Sequence, residues 1–153
     1  MTKILDCTLR DGGHINNWNF SDICVRETLR ACENSAVEYF EAGYNMPQCI
    51  KKSNVKLVIM VDAKNICSVS KNADCVRLAC YPHQISEALD ALEEYKNQGF
   101  EVFLHLMTAD KFEDYERLKN WKNKDILTSI YFADSFGAFM PVDVERIYKK
   151  LRI

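Results

Sequence analysis

Apolar positions along the chain change rhythm repeatedly, from alternation or a continuous run to a spacing near 3.6 and back. Residues 3–10 alternate: Leu5, Cys7 and Leu9 share one face, and Asp6, Thr8 and Arg10 the other. The run ends in Asp11, Gly12, Gly13 and His14, which predicts a strand followed by a polar loop. Ser21 is placed to cap a helix with the stripe Val25, Leu29, Cys32 and Ala36. Residues 37–44 predict a second strand, and residues 46–54 a connector with a short helix. Residues 55–62 form a near-continuous apolar run, as in a buried parallel strand. A short helix over 63–71 and a strand over 75–81 follow. Residues 83–98 predict a helix, with Ile85, Leu89, Leu92 and Tyr95 on one side and Gly99 as its stop. Next come a strand over 100–107, a helix marked by Phe112, Tyr115 and Leu118, and a strand over 126–133. Pro141 opens a last helix with the stripe Val144, Ile147, Tyr148 and Leu151, and basic residues gather at its end.

Strands and helices alternate throughout, with short connections and no low-complexity tract. This is the α/β pattern of a parallel sheet with right-handed crossovers. At 153 residues the chain is one domain's worth, and residues 1–153 are expected to belong to a single domain. It supplies about six βα units, whereas an eight-fold βα barrel takes about 250 residues. Pattern alone leaves two architectures open, a doubly wound sheet and a barrel cut short.

The opening words are more specific than the pattern. Asp6-Cys7-Thr8-Leu9-Arg10-Asp11-Gly12 resembles the D-x-T-L-R-D-G signature of the metal-dependent pyruvate aldolases and lyases, relatives of 4-hydroxy-2-oxovalerate aldolase, 3-hydroxy-3-methylglutaryl-CoA lyase and isopropylmalate synthase. His14, three residues past Asp11, resembles the 4-hydroxy-2-oxovalerate aldolase branch. Phe40-Glu41-Ala42-Gly43 resembles the second-strand word of that family and Val76-Arg77-Leu78-Ala79 its fourth-strand word. Asp134-Ser135-Phe136-Gly137, running on to Pro141, resembles the sixth-strand word. The resemblance implies a partial (β/α)8 barrel with parallel strands, truncated before strands seven and eight, with its site at the C-terminal strand ends.

The resemblance also implies roles. Asp11 binds a divalent metal, Mn²⁺ or Mg²⁺; a hard cation of this kind takes oxygen ligands and can hold a 2-oxo acid through two of its oxygens. Arg10 steadies the enolate oxygen as charge develops on it. His14 is the general base for the 4-hydroxyl, since imidazole titrates near neutrality. Glu41 supports Arg10, and Ser135 contacts the substrate. Arg77 points inward to a carboxylate such as Glu41 or Asp6. His105 reads as a core histidine and His83 as a helix-start residue. Without the family words, Arg10 and Asp11 are a surface ion pair, His14 a solvated loop residue, Glu41 a strand-end carboxylate and Ser135 a turn residue.

Composition narrows the rest. Hydrophobic residues are 48% and charged residues 27%, and the net charge is −2 with no basic stripe, so nucleic acid is not the expected partner. No apolar run reaches the roughly 20 residues of a membrane span, and the N-terminus lacks a basic-then-apolar leader, so neither a membrane nor secretion is expected. Seven cysteines occur with no C-x-x-C pair, which predicts reduced, mostly buried thiols in a cytoplasmic protein. The family completes its metal site with an H-x-H pair that this sequence lacks, so the 153 residues alone are expected to bind metal poorly and to be inactive. The expected partners are a 2-oxo acid substrate and a second copy of the chain, joined through open sheet edges. Three functions remain in view: an aldolase cleaving 4-hydroxy-2-oxo acids to pyruvate and an aldehyde, a Claisen-type condensing enzyme using an acyl-CoA, and a non-catalytic binding module on the same scaffold.

Overall fold

A computed structural model describes residues 3–51 and 53–151. Its elements in chain order are β1 (Leu5–Asp6), α1 (Thr8–Asn16), α2 (Asp22–Asn34), β2 (Tyr39–Gly43), β3 (Lys56–Asp62), β4 (Cys75–Cys80), α3 (Ile85–Asn97), β5 (Glu101–Leu106), α4 (Tyr115–Asn120), β6 (Leu127–Phe132) and α5 (Pro141–Leu151). The strands form one sheet in the order β1-β2-β3-β4-β5-β6. The pairs β1–β2, β2–β3 and β5–β6 are parallel. Strictly sequential order is the barrel arrangement; a doubly wound sheet reverses direction at a switch point. The fold is therefore α/β, like a partial (β/α)8 barrel with six parallel strands.

The chain divides into two compact units. One comprises the residues up to Val61 with Cys67–Arg77, and the other Asp62–Ile66 with the residues from Leu78 onward. In the first, β2 is buried along its whole length, and so are Leu57 to Val61 of β3. Continuous burial is what a parallel strand covered on both faces requires. The register slips between Glu41 and Gly43, which re-aims the end of β2. Ser21 caps α2 as expected, accepting the Cys24 N–H at 3.2 Å. In the second unit, α3 packs on β5 and buries Ile85, Leu89, Leu92 and Tyr95, and Gly99 stops it at φ +98°.

Several expectations fail for local reasons. The first strand is only two residues long, and residues 8–16 are helical. The cause is Asp6: its carboxylate accepts both the Thr8 N–H (3.1 Å) and the Thr8 hydroxyl (2.9 Å), which turns the backbone out of the sheet. The alternation of Cys7, Thr8, Leu9 and Arg10 is therefore not a strand alternation, and Gly12, Gly13 and His14 lie in a helix, not a loop. Ala36 leaves the α2 stripe: it sits at φ +53° just past the cap and is exposed, while the Val37 N–H returns to the Cys32 carbonyl at 3.1 Å. Among the described residues of 46–54 no helix forms. Over 63–71 only a turn, Ala63–Asn65, forms, started by Asp62 accepting the Lys64 N–H at 2.8 Å; beyond it no apolar stripe exists to pack. On α5 only Ile147 is buried, whereas Val144 and Tyr148 are exposed; the side chain of Leu151 lies outside the described residues.

The seven cysteines are thiols, not disulfides. Three are buried (Cys32, Cys75, Cys80), Cys7 and Cys49 are partly covered, and Cys24 and Cys67 are exposed, fewer buried thiols than expected. Among the described residues no helix is long and apolar enough to cross a membrane.

Candidate active site

The first unit builds a charged cluster at the end of β2. Strand alternation turns Glu41 to the face opposite Ala42, where it is fully buried. A buried carboxylate needs partners, and it has two guanidinium groups. Arg77, on β4 and nearly as buried, donates from Nε to Glu41 Oε2 at 2.6 Å and from NH2 to Oε1 at 2.7 Å. This is the bidentate fork that makes Arg–carboxylate pairs specific in direction. Arg10 donates from Nε to Glu41 Oε1 at 2.7 Å, and its NH1 lies 2.7 Å from Asp11 Oδ1. Both oxygens of Glu41 are thus committed to guanidinium groups. Burial by itself works against charge on Arg10. The Glu41 charge and hydrogen bond, then Asp11, outweigh it, so the pKa rises. Arg77 behaves alike: burial opposes its charge, and Glu41 more than restores it.

Cys7, at the start of α1, completes the cluster. Its Sγ lies 3.6 Å from Arg77 NH2. Desolvation first, and the Glu41 charge second, push the thiol up to about 11, partly offset by Arg77 and Arg10. It is a neutral neighbour of the cations and not a thiolate.

The unexpected helix α1 gathers more than a strand would. Arg10 and His14 stand at i and i+4, Asp11 and His14 at i and i+3, so the three residues share one side of α1. His14 is exposed, its ring edge-on to Trp18 at 4.8 Å between centroids. Trp18 carried no signal in the sequence reading. It donates its indole N–H to the Arg10 carbonyl at 3.0 Å, and its ring meets Tyr44 edge-on at 5.1 Å. The signal that could have found it is Gly13: a helical glycine followed by a large aromatic just past the helix end marks a ring folded back on the backbone.

In the second unit Ser135 accepts the Thr108 N–H at 2.9 Å, and Thr108 sits at φ +47°. Asp134 accepts the N–H groups of Phe139 (2.8 Å) and Ala138 (2.9 Å), which, in that order, lower its pKa. The D-S-x-G word therefore shapes the loop after β6. His105 is half-buried beside Tyr131, with ring centroids 6.2 Å apart, and His83 lies in the Pro82–Gln84 turn, stacked on Tyr81.

The donor set does not amount to a cation site. Among the described residues no three His, Cys, Asp or Glu side chains converge to hold a metal ion. Asp11 is exposed and already paired with Arg10, and a hard divalent cation wants about six oxygen ligands in defined geometry. Of the two carboxylates in the cluster, Glu41 is committed to Arg10 and Arg77 and Asp11 to Arg10, so the described residues do not by themselves fit the metal.

Comparison with known proteins agrees with this fold. No family model matches the sequence. Among curated proteins the chain is similar to an oxaloacetate decarboxylase of Mycobacterium tuberculosis, 21% identical over 176 residues, which span 97% of this chain and 52% of that protein. Among solved structures it is similar to the N-terminal domain of "a putative aldolase from Bacteroides vulgatus", with a TM-score of 0.83 and 28% identity over 99% of this chain and 60% of that one. The chain thus spans about half the length of the curated relative, and over nearly all of its own length it is related to proteins named for aldolase and decarboxylase chemistry.

Proposed function

We propose that the chain forms the Arg10-bearing part of a carbon–carbon lyase acting on 2-oxo acids, in which Arg10 stabilises the enolate of the product. The observation that carries the reading is Arg10 itself, a guanidinium clamped through Nε by the buried Glu41 and paired at NH1 with the exposed Asp11. Such a group costs no reorganisation when negative charge appears on a neighbouring oxygen.

For a 4-hydroxy-2-oxo acid, the base removes the hydroxyl proton and the C3–C4 bond breaks. Its electron pair forms the C2=C3 bond, the carbonyl pair moves onto the C2 oxygen, and an aldehyde departs. The enolate then takes a proton at C3 to give pyruvate. His14, on the same side of α1 as Arg10, is the proposed base. The decarboxylase relative supports a second reading: oxaloacetate losing CO₂ gives the same pyruvate enolate and needs the same cation beside the oxygen, but has no hydroxyl proton to remove.

The test is pyruvate release, coupled to lactate dehydrogenase, from 4-hydroxy-2-oxopentanoate and from oxaloacetate. It uses the longest natural polypeptide containing this chain, with Mn²⁺ added. Arg10→Ala is expected to lower turnover on the active substrate by about 10²- to 10³-fold, the usual loss for one oxyanion donor. His14→Ala separates the readings: it slows aldol cleavage and leaves decarboxylation unchanged. Undiminished turnover in Arg10→Ala would overturn the reading.

A further inference from the structure

We infer that Trp18 is a positioning residue that fixes the α1 turn carrying Arg10 and orients His14; its catalytic meaning rests on the lyase reading above, while the geometry stands apart from it. Three independent observations meet at this side chain.

The first is backbone conformation. Asn17 and Trp18 are consecutive non-glycine residues at φ +54° and +57°. Each occupies the left-handed region that L-residues avoid, and two in succession persist only where surrounding contacts over-determine them; such places cluster at functional sites. Their effect here is to reverse the chain, so that the Trp18 N–H reaches back to the Gly13 carbonyl at 3.0 Å and the ring folds down on α1.

The second is the cradle. A Cβ built on Gly13 would stand 2.1 Å from Trp18 Cδ1, and one on Gly43 would stand 3.1 Å from the same atom. The indole thus lies directly on the backbone of α1 and of the β2 end, in space that any other residue at Gly13 would fill. Gly43 is the second residue after Glu41, so the ring spans the elements that carry both members of the Arg10–Glu41 pair.

The third is what the ring touches. Its N–H bonds the carbonyl of Arg10, and its ring meets that of His14 in a T-shaped contact. One rigid side chain therefore holds the backbone of the proposed enolate-stabilising residue and the ring of the proposed base. An aromatic ring brings this contact area at little conformational cost. Tyr44 also meets the ring in a T-shaped contact, with centroids 5.1 Å apart.

The experiment reads Arg10 directly, without turnover. Hydrogen exchange of the arginine Nε–H groups is followed by NMR in the unaltered protein and in Trp18→Phe, which keeps a ring on Gly13 but has no N–H for the Arg10 carbonyl. The expected result is that exchange at Arg10 accelerates about tenfold while Arg77, bonded to the same carboxylate, is unchanged. Equal acceleration at both would mean general loosening and would overturn the inference, as would no change at either. Should Trp18→Phe fail to fold, the unaltered protein still decides: the Trp18 indole N–H, bonded to backbone, should exchange at least tenfold more slowly than that of Trp121, bonded to the side chain of Glu93. Similar rates would sink the proposal. In the turnover assay Trp18→Phe is expected to lower kcat about tenfold with KM within twofold. If Arg10→Ala leaves turnover intact, the lyase reading fails and the exchange data still judge the role of Trp18.

Discussion

Removing the charge of Glu41 while keeping its shape, as in Glu41→Gln, should be among the most damaging single changes this chain can take. The carboxylate is fully buried, the Arg77 side chain is 4% exposed and the Arg10 side chain 16%. Three charge-assisted hydrogen bonds of 2.6–2.7 Å converge on its two oxygens. With a neutral amide in its place, Arg77 keeps its charge in a site that water barely reaches. Breaking a buried pair from one side costs about 3–5 kcal/mol. For a chain of this size that corresponds to a fall in Tm of about 6–20 °C. Arg77→Met leaves Glu41 still paired with Arg10 and should cost about 1.5–3 kcal/mol, the range for hydrogen bonds to a charged group. The double variant removes both charges of the dry pair. Arg10, more open and 2.7 Å from Asp11, needs little compensation. The double variant should therefore lose about 2–3 kcal/mol less than the sum of the single ones. Urea unfolding followed by circular dichroism, with the slope m checked for constancy, measures all four corners of the cycle. Additivity within about 0.5 kcal/mol would refute the claim that Glu41 and Arg77 form one buried unit.

Two further outcomes can be measured on the same preparations. Gly12→Ala should stabilise the protein by about 0.5–1 kcal/mol, because a helical glycine is replaced and the new Cβ meets Phe20 at an ordinary 3.7 Å; Gly13→Ala, one position on, should destabilise it by about 1–3 kcal/mol through collision with the Trp18 ring, and equal signs in urea unfolding would contradict the cradle. Cys7, with its thiol raised from 9.0 to about 11, should stay unmodified by DTNB at about pH 8 while the exposed Cys24 and Cys67 react. Because the folded value lies above the unfolded one, the contribution of the Cys7 thiol to stability is complete below about 9 and is lost as pH rises through about 11; a Tm that does not fall across that interval would argue against the buried neutral thiol.

The strands were legible because burial acts on every residue of a parallel sheet. Leu57 to Val61 and Cys75 to Cys80 are apolar without a break, apart from Arg77, and nothing local competes with that demand. Arg77 was legible for the converse reason: a cation inside such a run has to meet a carboxylate, and it meets Glu41 on β2. What misled was the glycine pair. Two adjacent glycines after a charged residue suit a turn by intrinsic preference, and Asp6, Cys7, Thr8, Leu9 and Arg10 alternate as a strand should. The Asp6 side chain diverts the backbone into a helix within two residues, and Gly13 is small because Trp18, five residues on, lies against it. Its smallness answers a tertiary contact that no window of local propensity contains. The same diversion serves the site. On a strand, Arg10 and His14 would be separated by four residues at about 3.3 Å each. On α1 they are one turn apart, both tied to one indole, so the residues proposed for enolate and proton share a support because the predicted strand does not form.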